Sequence, residues 1–444
     1  MAAAAGASEG RMSRPATTVV AGVPEEVTGQ QRRVVSGTLS WRQTFSALKH
    51  RNFRLFFAGQ MVSLVGTWMQ NTAQGWLVYQ LTGSKILLGV VAAVGSTPMM
   101  LFSVWGGSIA DRFPKRRILL WTQTTMMVTA LVFAALVASQ QIRIWQIMFL
   151  AAIGGLAMAF DMPARQAFMV EMTNREDLMN AVSLNSSIVN GARVLGPSMA
   201  GLLMAHAGIA LCFFLNGLSF LAVIAGLLMM RLPRFMPVAH SGSARTHILE
   251  GFAYVWKDWR MRTMLLLFAI VGIFGWSYSV MMPAFAREVL NVDEKGYGML
   301  LSANGVGALL GALTVASVGH RANHRFLVLG GLLIFSAMLL LLALVKSYFL
   351  ALFCLGIAGW GMLLFFSTIN TLLQTSASDV MRGRVMGIWA LVFGAMTPLG
   401  GLEAGTLSHF LGLQGAIAFG AIVCALSAIV VLIIVRRISA QETK

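Results

Sequence analysis

The chain has 444 residues, of which 57% are hydrophobic and only 11% charged. A soluble domain carries about a quarter charged residues, so sixteen Asp and Glu over this length exclude an ordinary water-solvated globule. Apolar stretches recur at the length a helix needs to cross roughly 30 Å of hydrocarbon. Lipid permits only helices or closed barrels as spanning structures, and these runs are apolar all round rather than alternating over the ~10 residues of a barrel strand. The expected class is an all-α membrane protein.

Residues 1–45, rich in Ala, Gly, Ser, Thr and Arg, contain no apolar signal core; a disordered cytoplasmic tail without a cleaved signal is expected. Six spans follow near 53–80, 84–110, 117–139, 144–168, 178–205 and 209–230. A polar, basic loop covers 231–261, and six more spans lie near 262–287, 295–318, 326–345, 348–373, 383–410 and 413–435. The expected layout is an N-terminal six-helix bundle (46–230), a cytoplasmic loop (231–261), a C-terminal six-helix bundle (262–436) and a tail (437–444). The three cysteines, Cys212, Cys354 and Cys424, fall in apolar runs and read as small core residues.

Span one carries Gln60, Ser63, Thr67, Asn71 and Gln74, a spacing that keeps one helical face polar. That face either lines a ligand cavity or hydrogen-bonds to neighbouring helices. Trp68 flanks it, and Asn190, Trp276, Tyr278, Asn370 and Trp389 are further cavity candidates. Between spans two and three lies Gly107-Ser-Ile-Ala-Asp111-Arg112-Phe-Pro-Lys115-Arg116-Arg117. Its carboxylate can cap a helix or pair with an Arg, and Gly107 permits close helix approach; the bland alternative is a charged loop that only sets topology. In span four Asp161 and Arg165 stand four apart on one helix face. A charge in a span marks a functional candidate, and here gating, a structural pair and proton carriage are all open.

Span five carries Gly191, Arg193, Gly196, Pro197 and Gly201. Its glycines allow close packing and its proline a bend. Arg193 has no acid in its own helix, and Glu403 in span eleven is the other deeply placed charge. Glu403, Asp161 and Arg193 are the coupling candidates, with Glu403 leading because burial favours its protonated form.

The formal charge of +17 would suit nucleic acid, but its placement argues otherwise. Under a twelve-span layout with an inside N-terminus, 27 of the 33 Lys and Arg fall on one side. That asymmetry places both termini in the cytoplasm. The halves also echo each other: Gly196 and Gly201 match Gly400 and Gly405, and the Asp111–Arg117 charges match His320-Arg321 and His324-Arg325, all at an offset of about 204 to 209 residues. A duplicated six-helix unit suits a transporter that rocks around a midplane site.

The 107–117 loop resembles the signature of the major facilitator superfamily, with Pro114 where the family has a glycine. The Gly191–Gly201 run resembles the glycine-proline motif of the superfamily's antiporters. Together with His50–Arg54, Trp76–Ser84, Pro163–Arg165 and Arg382–Gly387, these motifs resemble the branch of enterobactin-exporter-like and macrolide-efflux-like transporters. The resemblance implies the major facilitator fold, with twelve transmembrane helices in two pseudo-symmetric bundles. It implies a gate that latches the cytoplasmic side when the cavity faces outward, in which Asp111, with Gly107, Arg112 and Arg116, meets Arg165 and the turn near Arg384. It implies export of a siderophore, drug or lipophilic metabolite across a bacterial inner membrane, driven by the proton gradient. The expected partners are a small-molecule substrate and the bilayer, not nucleic acid; a monomer is expected, with no metal or organic cofactor. Spans one to three contain no acid before Asp111, so a carboxylate in span one, used by some drug:proton antiporters, is missing. Alternatives are an uptake symporter or facilitator for a small polar solute, or a membrane sensor that no longer transports. No nucleophile–base set supports an enzyme.

Overall fold

A computed structural model of the chain describes residues 45–174, 176–232, 244–319 and 322–442. These residues form α-helices with no strand among them: α1 (Arg51–Thr82), α2 (Lys85–Arg112), α3 (Lys115–Ala138), α4 (Ile144–Met172), α5 (Leu178–Ala207), α6 (Ile209–Met229), α7 (Ala244–Lys257), α8 (Trp259–Val289), α9 (Glu294–Val318), α10 (His324–Leu344), α11 (Tyr348–Ser376), α12 (Asp379–Phe410) and α13 (Gly412–Glu442). All but α7 coincide with an expected span to within a few residues.

Three expectations change. The 231–261 segment is not all loop, since α7 occupies its second part. The last helix runs on through the expected 437–444 tail as far as Glu442. Among the described residues ten apolar stretches are long enough to span, against twelve expected spans. The difference has two causes: the polar face of α1 keeps that 32-residue helix out of the apolar set, and a single apolar stretch, Met381–Ile434, runs through both α12 and α13. The expected N-terminal tail, apart from Phe45, lies outside the described residues, as do His320 and Arg321.

Local chemistry sets the helix ends. Gly83 adopts φ 59° and returns its N–H to Tyr79 O, ending α1, while Ser84 accepts from Leu87 N and opens α2. A left-handed residue followed by an N-cap makes a reversal of minimal length. Asp258 and Asp293 cap α8 and α9 in the same way. The rod of α8 contains two π-turns, Val271–Gly275 and Phe285–Val289, the kind of local widening that often marks functional sites.

Packing repeats in the two halves. α1 lies on α5 and α6, α2 on α4, and α3 on α4 and α6; correspondingly, α8 lies on α12 and α13, α9 on α11, and α10 on α11 and α13. Between the halves α2 packs on α12 and α5 on α9. Exchanging the halves turns the first of these interfaces into the second, the signature of a pseudo-twofold axis between duplicated units. The end of the bundle where α1 begins and α13 finishes is called proximal below, and the opposite end distal.

Candidate transport site

A cavity of about 420 Å³ lies mainly in the first half. Thr67, Gln70, Asn71 and Gln74 of α1 form its polar wall; Met99, Met126 and Met158 of α2, α3 and α4 form an apolar one; Pro283 and Tyr297 of the second half close it. Gln70 Oε1 accepts from Asn216 Nδ2 at 2.6 Å, which orients both amides. Asn71 is exposed, so the wall is wet.

The polar stripe of span one therefore splits. Thr67, Asn71 and Gln74 face the cavity, whereas Gln60 and Ser63 are buried within the first half, with Gln60 Oε1 accepting from Arg165 Nη1 at 2.7 Å. The other cavity candidates lie elsewhere. Trp68 and Trp276 flank Arg193, their ring centroids 5.8 and 5.1 Å from its guanidinium carbon. Tyr278 is buried and accepts from Asn304 Nδ2 at 2.8 Å. Asn190 donates to Ser186 O, and Asn370 accepts from Gln374. Trp389 stacks between Phe268 and Phe393. Composition missed Gln70, because it sits one position off the stripe.

The buried charges form separate clusters. Asp161 is fully buried and accepts from Thr122 Oγ1 (2.7 Å), Gln123 Nε2 (2.8 Å) and Arg165. Arg193 donates to Asn304 Oδ1 at 3.1 Å. Its partners are an amide and two indoles, not Glu403. Glu403 faces Ser277 and Cys424 inside the second half, and its Oε2 is buried without a hydrogen bond.

In the 107–117 motif the close helix approach falls one residue from the expected glycine. A Cβ on Gly107 would meet nothing within 4 Å; the close approach is at Gly106, where a Cβ would sit 2.2 Å from Ala159 O on α4. Arg165 is engaged by Asp161 and Gln60, and Arg384 pairs with Glu250 of α7 at 2.5 Å. Asp111 is half-buried on the last turn of α2, and Arg112 is exposed. Arg116 Nη2 donates to Leu228 O at 2.8 Å. A cation on the last carbonyls of α6 is favourable against that helix's dipole.

In the span-five motif Gly191 has open space around it, but Gly196 abuts Trp68 and Met69 of α1, and Gly201 abuts Glu294 and Gly298 of α9. The motif clamps α5 between the two halves at the distal end. On the other interface a Cβ on Gly89 would sit 2.1 Å from Gly401 O. Polar contacts that sequence spacing does not reveal reinforce this closure. Lys85 Nζ meets Glu288 Oε2 at 2.8 Å, and Tyr79 donates to Glu288. Trp76 Nε1 donates to Glu294 Oε1 at 3.1 Å, and its ring stacks on Tyr297 with centroids 5.4 Å apart.

At the proximal end the short 3₁₀ turn Ser46–Lys49 clasps the start of α5. Lys49 Nζ and His50 Nε2 reach Asp177 Oδ2 at 2.7 and 2.8 Å, and Ala47 N donates to Asn180 Oδ1. Hydrogen bonds from Lys49, then from His50 and Ser46, hold the Asp177 carboxyl well below the usual carboxylate range. A depressed carboxylate contributes stability above its unfolded value of about 3.9 and loses it as pH falls further. Asp177→Asn is thus expected to lower the thermal midpoint of detergent-solubilised protein at pH 7, with the gap closing below about pH 4. A pH-independent gap would contradict the clasp.

The chain matches the family described as transmembrane secretion effector over residues 42–444. It is 27% identical over 417 residues to an enterobactin exporter of Shigella boydii, covering 90% of this chain and 96% of that one. It is 25% identical to a staphyloferrin A transporter of Staphylococcus aureus (79% and 87% covered) and 25% identical to the multidrug efflux pump Tap of Mycolicibacterium fortuitum (76% and 85% covered). Among solved structures it superposes on a bacterial homologue of the human lysosomal transporter Spinster, inward-facing and occupied, with a TM-score of 0.70 at 14% identity over 87% of this chain and 97% of that one. The nucleoside transporter NupG superposes with a TM-score of 0.65 at 14% identity over 86% and 98%. The chain belongs to the transmembrane secretion effector family of the major facilitator superfamily and is a membrane transport protein, not an enzyme.

Proposed function

We propose that this protein exports a small molecule across a bacterial inner membrane by alternating access, with proton antiport as the driving reaction. The observation that carries the reading is a wet cavity beside the inter-half interface, closed at the distal end by two glycine-lined helix crossings. The basic-residue asymmetry supports a cytoplasmic location for both termini, which makes the distal end the outer one and this conformation inward-facing. Exposed Ser183, Ser186 and Ser187 on the proximal part of α5 suit a water-filled entrance from the cytoplasm. Relatives whose names describe exporters and an efflux pump support the outward direction. Of the coupling candidates, Glu403 is favoured over Asp161, because Asp161 already has three donors while one Glu403 oxygen is buried without a partner. Arg193 serves as a fixed cation between the indoles of the two halves.

In inside-out vesicles, substrate accumulation is expected to require an imposed proton gradient and to collapse with an uncoupler. Glu403→Gln is expected to abolish gradient-driven accumulation while sparing substrate exchange. Proton-driven uptake only into right-side-out vesicles would replace export by the uptake alternative, and normal coupling in Glu403→Gln would remove Glu403 from the mechanism.

A further inference from the structure

From the make-up of the cavity wall we infer that the ligand is an uncharged, amphipathic molecule of drug size, with hydrogen-bonding groups along one edge and an apolar face. This rests on the transport reading above and goes beyond it in naming the substrate class. Among the described residues lining the 420 Å³ cavity, none is Asp, Glu, Lys, Arg or His. An ion leaving water for such a site loses several kcal/mol of solvation, which only a countercharge or a full set of hydrogen bonds offsets.

Among the described residues the buried charges lie outside the cavity lining. Asp161 and Arg165 satisfy one another, Lys85 is paired with Glu288, and Arg193 is held by Asn304 and two indoles. Glu403 faces Ser277 and Cys424 and is not part of the cavity lining.

The polar groups that do face the cavity are neutral and ambivalent. Gln70, Asn71 and Gln74 occupy neighbouring turns of one face of α1. Each carboxamide both donates and accepts, so the row matches ketones, esters, amides or hydroxyls and has no preference for a charge. Gln70 is already oriented by Asn216, whereas Asn71 and Gln74 have no hydrogen-bond partner among the described residues and are available to a ligand. Opposite them Met99, Met126 and Met158 offer polarizable, adaptable surface that suits varied apolar or aromatic skeletons. The volume lies within the range of sites for drug-sized ligands.

The test uses three phenoxazine dyes of similar skeleton: neutral Nile red, cationic Nile blue and anionic resorufin. The full chain is reconstituted in lipid nanodiscs, and saturable fluorescence changes are read at pH 7. Nile red is expected to bind at least ten-fold more tightly than either ion. Gly154 lines the cavity and has open space where a Cβ would go, so Gly154→Leu fills the site without a backbone clash and is expected to weaken Nile red at least ten-fold. Ser96→Asp, which places a carboxylate in the wall, is expected to reverse the preference toward Nile blue. The wild-type comparison decides even where a variant does not fold. Nile blue or resorufin matching Nile red, absence of saturable Nile red binding, or Nile red binding unchanged by Gly154→Leu in folded protein each overturns the assignment. Inside-out vesicles separate the two claims. Selective Nile red binding without its accumulation leaves the neutral class standing and sinks export; preferential binding and export of an ionic dye does the reverse.

Discussion

Gly89→Leu is expected to stop transport almost completely while leaving the protein folded. At this crossing of α2 and α12 even a methyl carbon would lie 2.1 Å from the Gly401 carbonyl oxygen. The obstacle is backbone, so no rotamer change relieves it. Overpacking at well-packed sites costs about 1–3 kcal/mol and sometimes more; roughly 3 kcal/mol in disfavour of the distally closed state lowers its population about 100-fold. Each half has its own packing of helix on helix, so the expected consequence is separation of the halves at the distal end. Turnover should fall by about two orders of magnitude. A cysteine at Ser279, a cavity-lining position, should become reactive to an impermeant maleimide from the distal side. The native background is low, because Cys212, Cys354 and Cys424 are all buried. Wild-type turnover in Gly89→Leu would show that this crossing does not close during the cycle. Removing the Lys85–Glu288 pair should act in the same direction but more weakly, since both side chains are partly exposed and water competes for each.

Asp161→Ala should be the most destabilising single change in the first half. The carboxylate is fully buried and accepts from Thr122, Gln123 and Arg165. Truncation strips the Gln123 amide and the Arg165 guanidinium of their shared acceptor, leaving the guanidinium to Gln60, while Thr122 keeps Leu119 O. Removing one partner of a buried pair costs about 3–5 kcal/mol, enough to lose most folded protein from a marginally stable chain. Asp161→Asn retains an acceptor and should be milder. The double variant Asp161→Ala/Arg165→Ala should be more stable than Asp161→Ala alone, because it removes the stranded cation; a double-mutant cycle on thermal stability reads that coupling. Full stability of Asp161→Ala with loss of proton coupling would reverse the assignment and make Asp161 a carrier instead of a structural anchor.

The helical rods were legible because lipid makes a simple demand: an apolar run of sufficient length, with every backbone group bonded internally. The exceptions follow the same physics. α1 is too polar to qualify by composition, and its polar face lines one wall of the cavity. α7 escaped notice because it crosses nothing and its sequence is ordinary amphipathic helix.

The site was legible only in part. Sequence spacing put Thr67, Asn71 and Gln74 on one face, and they line one wall. Spacing along α1 could not show that Gln60 turns instead to Arg165, 105 residues away. Gly106 and Gly107 are indistinguishable as neighbours in a motif, yet α4 passes against only the first of them. Glu288 and Glu294 fall between the expected spans 262–287 and 295–318, where spacing names no partner for them; Lys85, Tyr79 and Trp76, about 200 residues earlier, make them part of the distal closure.

Taken by itself, the sequence determined the membrane class, the approximate helix ends, the duplication and the superfamily, since each depends on composition or on spacing along one chain. Tertiary structure alone decided which of two adjacent glycines packs, which charge answers which, and that the cavity wall is left without any charge. Those are pairings between surfaces far apart in the chain. In a low-dielectric interior, that pairing determines whether a polar group anchors the fold or remains available to a ligand.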